Sequence, residues 1–397
     1  MLALTLTGLW KPRPGVELSE SEQSQRWARD ARQVWRNPRW EIGRRSLPKI
    51  EHPDDVLVKV HRVGIARSTI RMTEADEQGY VKLPYSMRLP IIPGHEMAGE
   101  VVEIGSAVGG LRVGEPVTVE ALRPCGRCGP CKVRKPNHCV ESGFAGLTLD
   151  GGMAEYLVVP ERHLFSLTRI AERYGTAKAM DIGAVCEPAA VAYVAMFDRA
   201  GGFRPGATVA VFGCGPVGLA AIALAHCAGA ASIIAFDRMP SRLAMAREFG
   251  ADLALDVTEV EAAGSSPATA MAEFSRGQGI GFAVEATGDG EAFFPQIEQS
   301  LAVEAKVLSL GVERKPMPIT LVPYQQTGSQ VTGMLGHIGG FEPIIALHAG
   351  GRLDMSRVIE ARYDLGDANA AFAVAAEFQK AKVVLHPQGD APALPAV

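Results

Sequence analysis

From about Asp54 to Pro160 the apolar positions come in short runs, DVLVKVHRVGI, AGEVVEIG, GEPVTVEA and AEYLVVP, each cut off by glycine or proline. Runs of that length between turn residues predict β-strands. After GGFRPGATVAVFG the pattern changes. VAVFG, SIIAFD, LALDV, FAVEATG, AKVLSLG and QVTGMLG are near-continuous apolar runs separated by alanine-rich or polar segments. That alternation predicts strands and helices taking turns, as in a parallel sheet. It continues to about His337, beyond which FEPIIALHAGGRL predicts a helix and KVVLHP a last strand. Ahead of all these, LSESEQSQRWARDARQVW predicts a short helix, with Ser19 and Glu22 placed as a capping box. Trp27, Trp35 and Trp40 follow at intervals suited to packing, so residues 1–50 read as an extension covering part of the body. The terminal PQGDAPALPAV predicts a loose tail.

At 397 residues the chain is longer than one ordinary domain, and two are expected. A net charge of −4, with no long basic run, argues against a dedicated nucleic-acid binder. The start, MLALTLTGLWKPRPG, lacks the basic-then-apolar order of a secretory signal. VAVFGCGPVGLAAIALAHCAGAASIIAF is apolar enough to suggest a membrane span, but its glycines and the following Asp237 give it a different reading. The expectation is a soluble, cytoplasmic protein with no membrane partner.

That reading is a dinucleotide loop. Gly213, Gly215 and Gly218 form GxGxxG between a hydrophobic strand and an alanine-rich helix opened by Pro216 and Val217. The first glycine allows the tight turn, the second lets backbone approach a pyrophosphate, and the third lets helix pack on strand. Asp237 ends the next strand, where a carboxylate accepts from ribose hydroxyls and repels a 2′-phosphate. Arg238 and Arg242 stand close by and pull the other way, since guanidinium groups bind such a phosphate. NAD(H) is expected over NADP(H).

Seven cysteines are present, and four crowd into PCGRCGPCKVRKPNHC as Cys125, Cys128, Cys131 and Cys139. Thiolates so spaced can converge on one zinc, and an all-cysteine set leaves no open position for chemistry. One structural zinc is therefore expected, disulfides being the less suited alternative in a cytosolic chain.

With the cysteine lobe, PGHE ending at Glu96, DGGMAEY, CEPAA and the dinucleotide motif with FDR, the chain resembles the zinc-type medium-chain dehydrogenase/reductase family. Its extended N-terminus and DEQGYVKLPYSMRLPIIPGHE are most similar to the branch acting on inositol-derived ketones. The resemblance, from about Asp54 to Val384, implies an α/β protein with a GroES-like catalytic domain built from both chain ends and a Rossmann domain between. The corresponding boundaries are 1–190, 191–338 and 339–397. It also implies a homodimer or homotetramer.

One departure matters. Where the family reads GICGSD or GICRSD, this chain has GIARST. The cysteine that binds the catalytic zinc falls on Ala66, the relay hydroxyl on Ser68, and the supporting aspartate on Thr69. The remaining ligands of the family fall on His95, Glu96 and Glu187. Zinc makes a substrate hydroxyl acidic or polarises a carbonyl, and losing a thiolate with its supporting aspartate lowers affinity steeply. Three readings stay open. His95, Glu96 and Glu187 still hold zinc, with Cys186 lending a sulfur, and the enzyme interconverts a hydroxyl and a ketone on a polyol or cyclitol. Alternatively the catalytic metal is absent or weak, and the enzyme reduces an unsaturated cyclic ketone by 1,4-addition, with Ser68 or Thr69 steadying the enolate. Or the chain binds dinucleotide without catalysis. Against these, His95 and Glu96 read as a buried structural pair, Glu187 as a helix cap, and Arg67 as a cofactor-phosphate or solvent-facing residue. Hydroxyl–ketone interconversion with NAD(H) leads, with the catalytic metal absent or weakly held.

Overall fold

The computed structural model describes residues 1–312 and 317–392. Contacts divide the chain into two compact units, Met1–Glu187 with the segment from Ile359 onward, and Pro188–Val358. The helix Phe341–Ala349 thus falls in the second unit, and the chain returns to the first at Ile359 rather than at 339.

The first unit opens with β1 (Leu2–Trp10) and β2 (Trp35–Arg44), a two-stranded antiparallel sheet that pairs Leu2 with Arg44 and Trp10 with Trp35. Between them lies the helix Glu20–Gln25, capped by reciprocal Ser19 and Glu22 bonds. The tryptophans fix this extension in place. Trp35 is buried, donates Nε1–H to the Met87 carbonyl at 2.9 Å, and meets Trp10 edge-on at 5.1 Å. Trp40 donates to Asn369 at 2.9 Å and lies against Phe372.

The body follows with β3 (Asp55–Gly64), β4 (Glu96–Ile104), β5 (Pro116–Val119), β6 (Leu122–Arg123), β7 (Gly143–Phe144), β8 (Tyr156–Pro160) and β9 (Leu164–Ser166). The second unit contributes β10 (Thr208–Phe212), β11 (Ser232–Asp237), β12 (Leu253–Asp256), β13 (Ile280–Glu285), β14 (Leu301–Ser309) and β15 (Gln330–Gly333). The chain then adds β16 (Ile359–Asp364) and β17 (Lys382–His386) to the first unit.

Val56, Val58 and Val60 of β3 sit in the first unit's core together with Val117, Val119 and Leu385. Its sheet runs β16-β17-β3-β4-β5-β9, with β8 also paired to β3. The second unit is a six-stranded parallel sheet in the order β12-β11-β10-β13-β14-β15. Its central strands bury nearly every residue, which is why they read as continuous apolar runs. Strand order reverses between β10 and β13, the kind of switch point at which Rossmann sheets bind ligands.

The described part of the expected tail, residues 387–392, is tied down rather than loose. Gln388 donates to the carbonyls of Val60 at 2.9 Å and Glu155 at 2.8 Å. Asp390 accepts from Arg62 at 3.2 Å and pairs with His386 Nδ1 at 3.1 Å. The remainder of that expected tail, residues 393–397, lies outside the described residues.

Candidate active site

Three neighbouring strands bring the polar cluster together. Gly64 ends β3 in register with Glu96 on one side and Val384 on the other. A Cβ on Gly64 would lie 2.2 Å from Glu96 Oε2, so the glycine gives the carboxylate its room. Lys382 opens β17 and puts its ammonium 2.8 Å and 2.6 Å from the two oxygens of Glu96. Both side chains are 3% exposed. Glu187 reaches the cluster from the first turn of the helix Cys186–Tyr193. His95, Glu96 and Glu187 offer ligand atoms that all lie within 4.8 Å of one another, and all three are buried.

Ala66 caps the helix Arg67–Thr73 through its backbone alone and offers no donor. Ser68 Oγ lies 3.4 Å from His95 Nε2. Among the described residues Thr69 Oγ1 and His95 Nδ1 are buried without hydrogen-bond partners, and the His95 ring meets Phe144 edge-on at 5.4 Å. Arg67 places its guanidinium 4.8 Å from the Phe378 ring. Cys186 is buried, with its thiol pushed up to about 12 by desolvation, and it does not join the converging groups.

Burial, helped by Lys382, lowers His95 to about 4, against the pull of Glu96. Burial raises Glu187 to about 8, with Glu96 adding to the shift and Lys382 opposing it. This donor set does not fit a firmly held catalytic zinc. It lacks the thiolate expected at Ala66, and among the described residues His95 Nδ1 has no acceptor to orient it. Lys382 went unnoticed in the sequence, where the one hint was a cation opening the apolar strand KVVLHP.

The cysteine lobe does fit a closed zinc site. The four sulfurs lie within 4.8 Å of one another, and Cys128 and Cys139 sulfurs are 3.8 Å apart. A tetrahedron with zinc–sulfur bonds of about 2.3 Å has edges of about 3.8 Å. The Cys125 amide donates to Cys139 Sγ at 3.2 Å and the Cys128 amide to Cys125 Sγ at 3.4 Å. Backbone amides of Cys131 and Val140 bring the Cys128 thiol down to about 6.

The dinucleotide loop has the expected form. Gly213 takes φ 90°, and a Cβ on Gly218 would fall 1.8 Å from the Gly213 carbonyl oxygen. Gly215 caps the helix Pro216–Cys227 with Pro216 in its first turn. A Cβ on Gly215 would meet nothing within 4 Å, which leaves a cradle for a phosphate at a helix N-terminus. Asp237 accepts from the Cys214 amide at 2.6 Å, which ties the end of β11 to the loop. It also accepts from the amides of Arg238 at 2.8 Å and Met239 at 2.9 Å. Arg238 is exposed and Arg242 half-buried in the following turn.

Residues 52–169 match the alcohol dehydrogenase GroES-like domain and residues 216–346 the zinc-binding dehydrogenase domain. Scyllo-inosose 3-dehydrogenase of Thermotoga maritima is 33% identical over 371 residues, covering 90% of this chain and 92% of the relative. The chain belongs to the zinc-type medium-chain dehydrogenase/reductase family. This dehydrogenase is also 31% identical to D-xylulose reductase A of Aspergillus niger over 330 residues, 83% of this chain and 88% of the relative. A solved Thermotoga maritima structure classed with the alcohol dehydrogenases superposes with a TM-score of 0.92 at 31% identity, covering 97% of this chain and 99% of that one. The 2R,3R-butanediol dehydrogenase of Bacillus subtilis matches with a TM-score of 0.74 at 28% identity, over 88% of this chain and 96% of its own. The enzyme is thus an NAD(P)-linked oxidoreductase acting on small molecules, which sets aside the non-catalytic reading. No single helix among its described residues is long and apolar enough to cross a membrane.

Proposed function

We propose that the enzyme interconverts a secondary hydroxyl and a ketone on a cyclitol or small polyol, using NAD(H). The observation that carries this reading is the 33% identity, over 92% of its length, to a scyllo-inosose dehydrogenase. The relatives reported above are named for polyols, their ketones or a cyclitol ketone, and the conjugate-reductase reading draws no support from them.

Gly213, Gly215 and Gly218 form the pyrophosphate cradle, with Pro216 and Val217 opening the helix behind it. Asp237 takes the ribose hydroxyls and disfavours a 2′-phosphate, while Arg238 and Arg242 frame that edge. Held there, NAD(H) would supply the hydride acceptor or donor for the alcohol or ketone carbon. Ser68 Oγ is the group that meets the substrate oxygen and passes its proton toward His95 Nε2. Burial keeps His95 neutral, so Nε2 can accept a hydrogen bond from Ser68 and orient its hydroxyl toward the substrate oxygen. Thr69 lines the same helix turn, and Glu96 and Glu187 complete the polar wall. The catalytic metal is absent or weakly held, and the four cysteines hold one structural zinc.

Assembly as a homodimer or homotetramer belongs to the same proposal. β15 is an open sheet edge, and Val331 on it is 38% exposed. A monomer by light scattering would contradict that part. Action in the cytoplasm is the accompanying expectation.

The test is a set of initial rates with NAD or NADP on cyclitols, pentitols and butanediol, beside NADH-linked reduction of cyclic enones. Cyclitol or polyol oxidation faster with NAD than with NADP is expected. Enone reduction alone would overturn the assignment of reaction, and a preference for NADP would overturn the reading of Asp237.

A further inference from the structure

We infer that Tyr85 is a specificity-determining residue, its phenol meeting a substrate hydroxyl remote from the carbon that exchanges hydride. That Tyr85 touches substrate rests on the hydroxyl–ketone reading above; its place beside Ser68 does not. The helix Arg67–Thr73 fixes which side of the site this is. Residues three and four apart share one face of a helix, with Cβ atoms about 5–6 Å apart. Ser68, Arg71 and Met72 therefore look the same way. Ser68 Oγ faces His95 Nε2 at 3.4 Å. Met72 is fully buried in a core it shares with Trp35, Leu83, Met87 and Leu147. The segment covering this face is thus the one that carries Leu83 and Met87, and Tyr85 lies between them.

Tyr85 rests its ring on the same core, half-buried. Burial raises its phenol above the usual value, and the charge of the buried Arg71 opposes that rise. The hydroxyl thus keeps its proton and lies within the field of Arg71, one helical turn beyond Ser68. Among the described residues it has no hydrogen-bond partner. A buried tyrosine usually directs its O–H at a partner, and a phenol both donates and accepts. The step from Ser68 to Arg71, about 5–6 Å, is roughly the span of a hydroxylated six-membered ring. Ser68 would take the reacting oxygen and Tyr85 a hydroxyl further round that ring. The N-terminal extension holds Tyr85 where it stands. The Ala31 amide donates to the Tyr85 carbonyl at 3.0 Å, and Trp35 Nε1 donates to that of Met87 at 2.9 Å. The Val81 amide donates to the Trp35 carbonyl at 3.1 Å, and the Asn37 amide to that of Gly79 at 2.8 Å. Arg13 pairs with Asp76 and lies 3.8 Å over the Tyr80 ring. These extension residues are positioning residues, acting on substrate only through Tyr85.

The deciding experiment compares Tyr85→Phe with the unmodified protein on a cyclitol and on butanediol, whose adjacent hydroxyls leave none remote. KM for the cyclitol is expected to rise about three- to tenfold more than KM for butanediol, the usual cost of one hydrogen bond. Arg13→Gln, which loosens the segment from outside the site, is expected to speed amide exchange over residues 76–85 and to raise the same KM. Equal changes on both substrates in Tyr85→Phe would overturn the inference. Faster exchange in Arg13→Gln with no change in cyclitol KM would overturn the part given to the extension. Should neither substrate turn over, cyclitol binding to the NADH-loaded protein is read by calorimetry. Binding weakened by that same factor in Tyr85→Phe would support the inference, while the missing turnover counts against the proposed function. Equal binding, or none to the unmodified protein, would overturn it.

Discussion

Glu187 and His95 are buried side by side, yet their shifts oppose each other. Glu187 is raised from 4.5 to about 8, so the folded state holds its proton more tightly than the unfolded chain does. The stability it contributes is complete below 4.5 and is lost as the pH rises toward 8. His95 is lowered from 6.5 to about 4, so its contribution is complete above 6.5 and is lost as the pH falls toward 4. Melting temperatures across that range should therefore fall on the alkaline side in the unmodified protein and fall less in Glu187→Gln, which carries no titrating proton there. Equal slopes in the two proteins would remove Glu187 from the account. The substitutions at Ala66 and Thr69 were legible in the sequence because each falls inside a short motif. Lys382 was not, because its partner Glu96 lies 286 residues away and only sheet register brings the two together.

Among elements, the strands with continuous apolar runs and the glycine-marked turn were readable from the chain, since burial on both faces and a forced φ leave direct traces. The β1–β2 pair was missed. Its strands mix polar and apolar residues, and Leu2 must find Arg44 across an intervening helix, so no local signal announces the pairing. The first part of the tail was misread for a similar reason: Gln388 and Asp390 look like loop residues until Val60, Glu155 and Arg62 are brought beside them. The cysteine lobe is the element most dependent on a metal. Its short helix Gly129–Lys132 has no buried residue of its own, so little but the sulfur cluster organises it. Cys128→Ser should release the structural zinc and expose the lobe to proteolysis between Cys125 and Cys139, read by metal content and mass mapping. A zinc count unchanged by that substitution would mean the ion is held elsewhere.

At the scale of the whole molecule, each compact unit carries one part of the proposed chemistry. The second has the dinucleotide loop at its sheet's switch point, and the first has the polar cluster at the meeting of β3, β4 and β17. In this chain the polar cluster includes the buried Lys382–Glu96 ion pair. The central claim is hydroxyl–ketone chemistry at a site that does not depend on a catalytic metal. It is tested most directly by the rate of NADH-linked reduction of a cyclitol ketone such as scyllo-inosose, before and after mild chelation that leaves the cysteine lobe loaded. The account predicts turnover of equal rate in both samples. Turnover abolished by the chelator and restored by added zinc would contradict it.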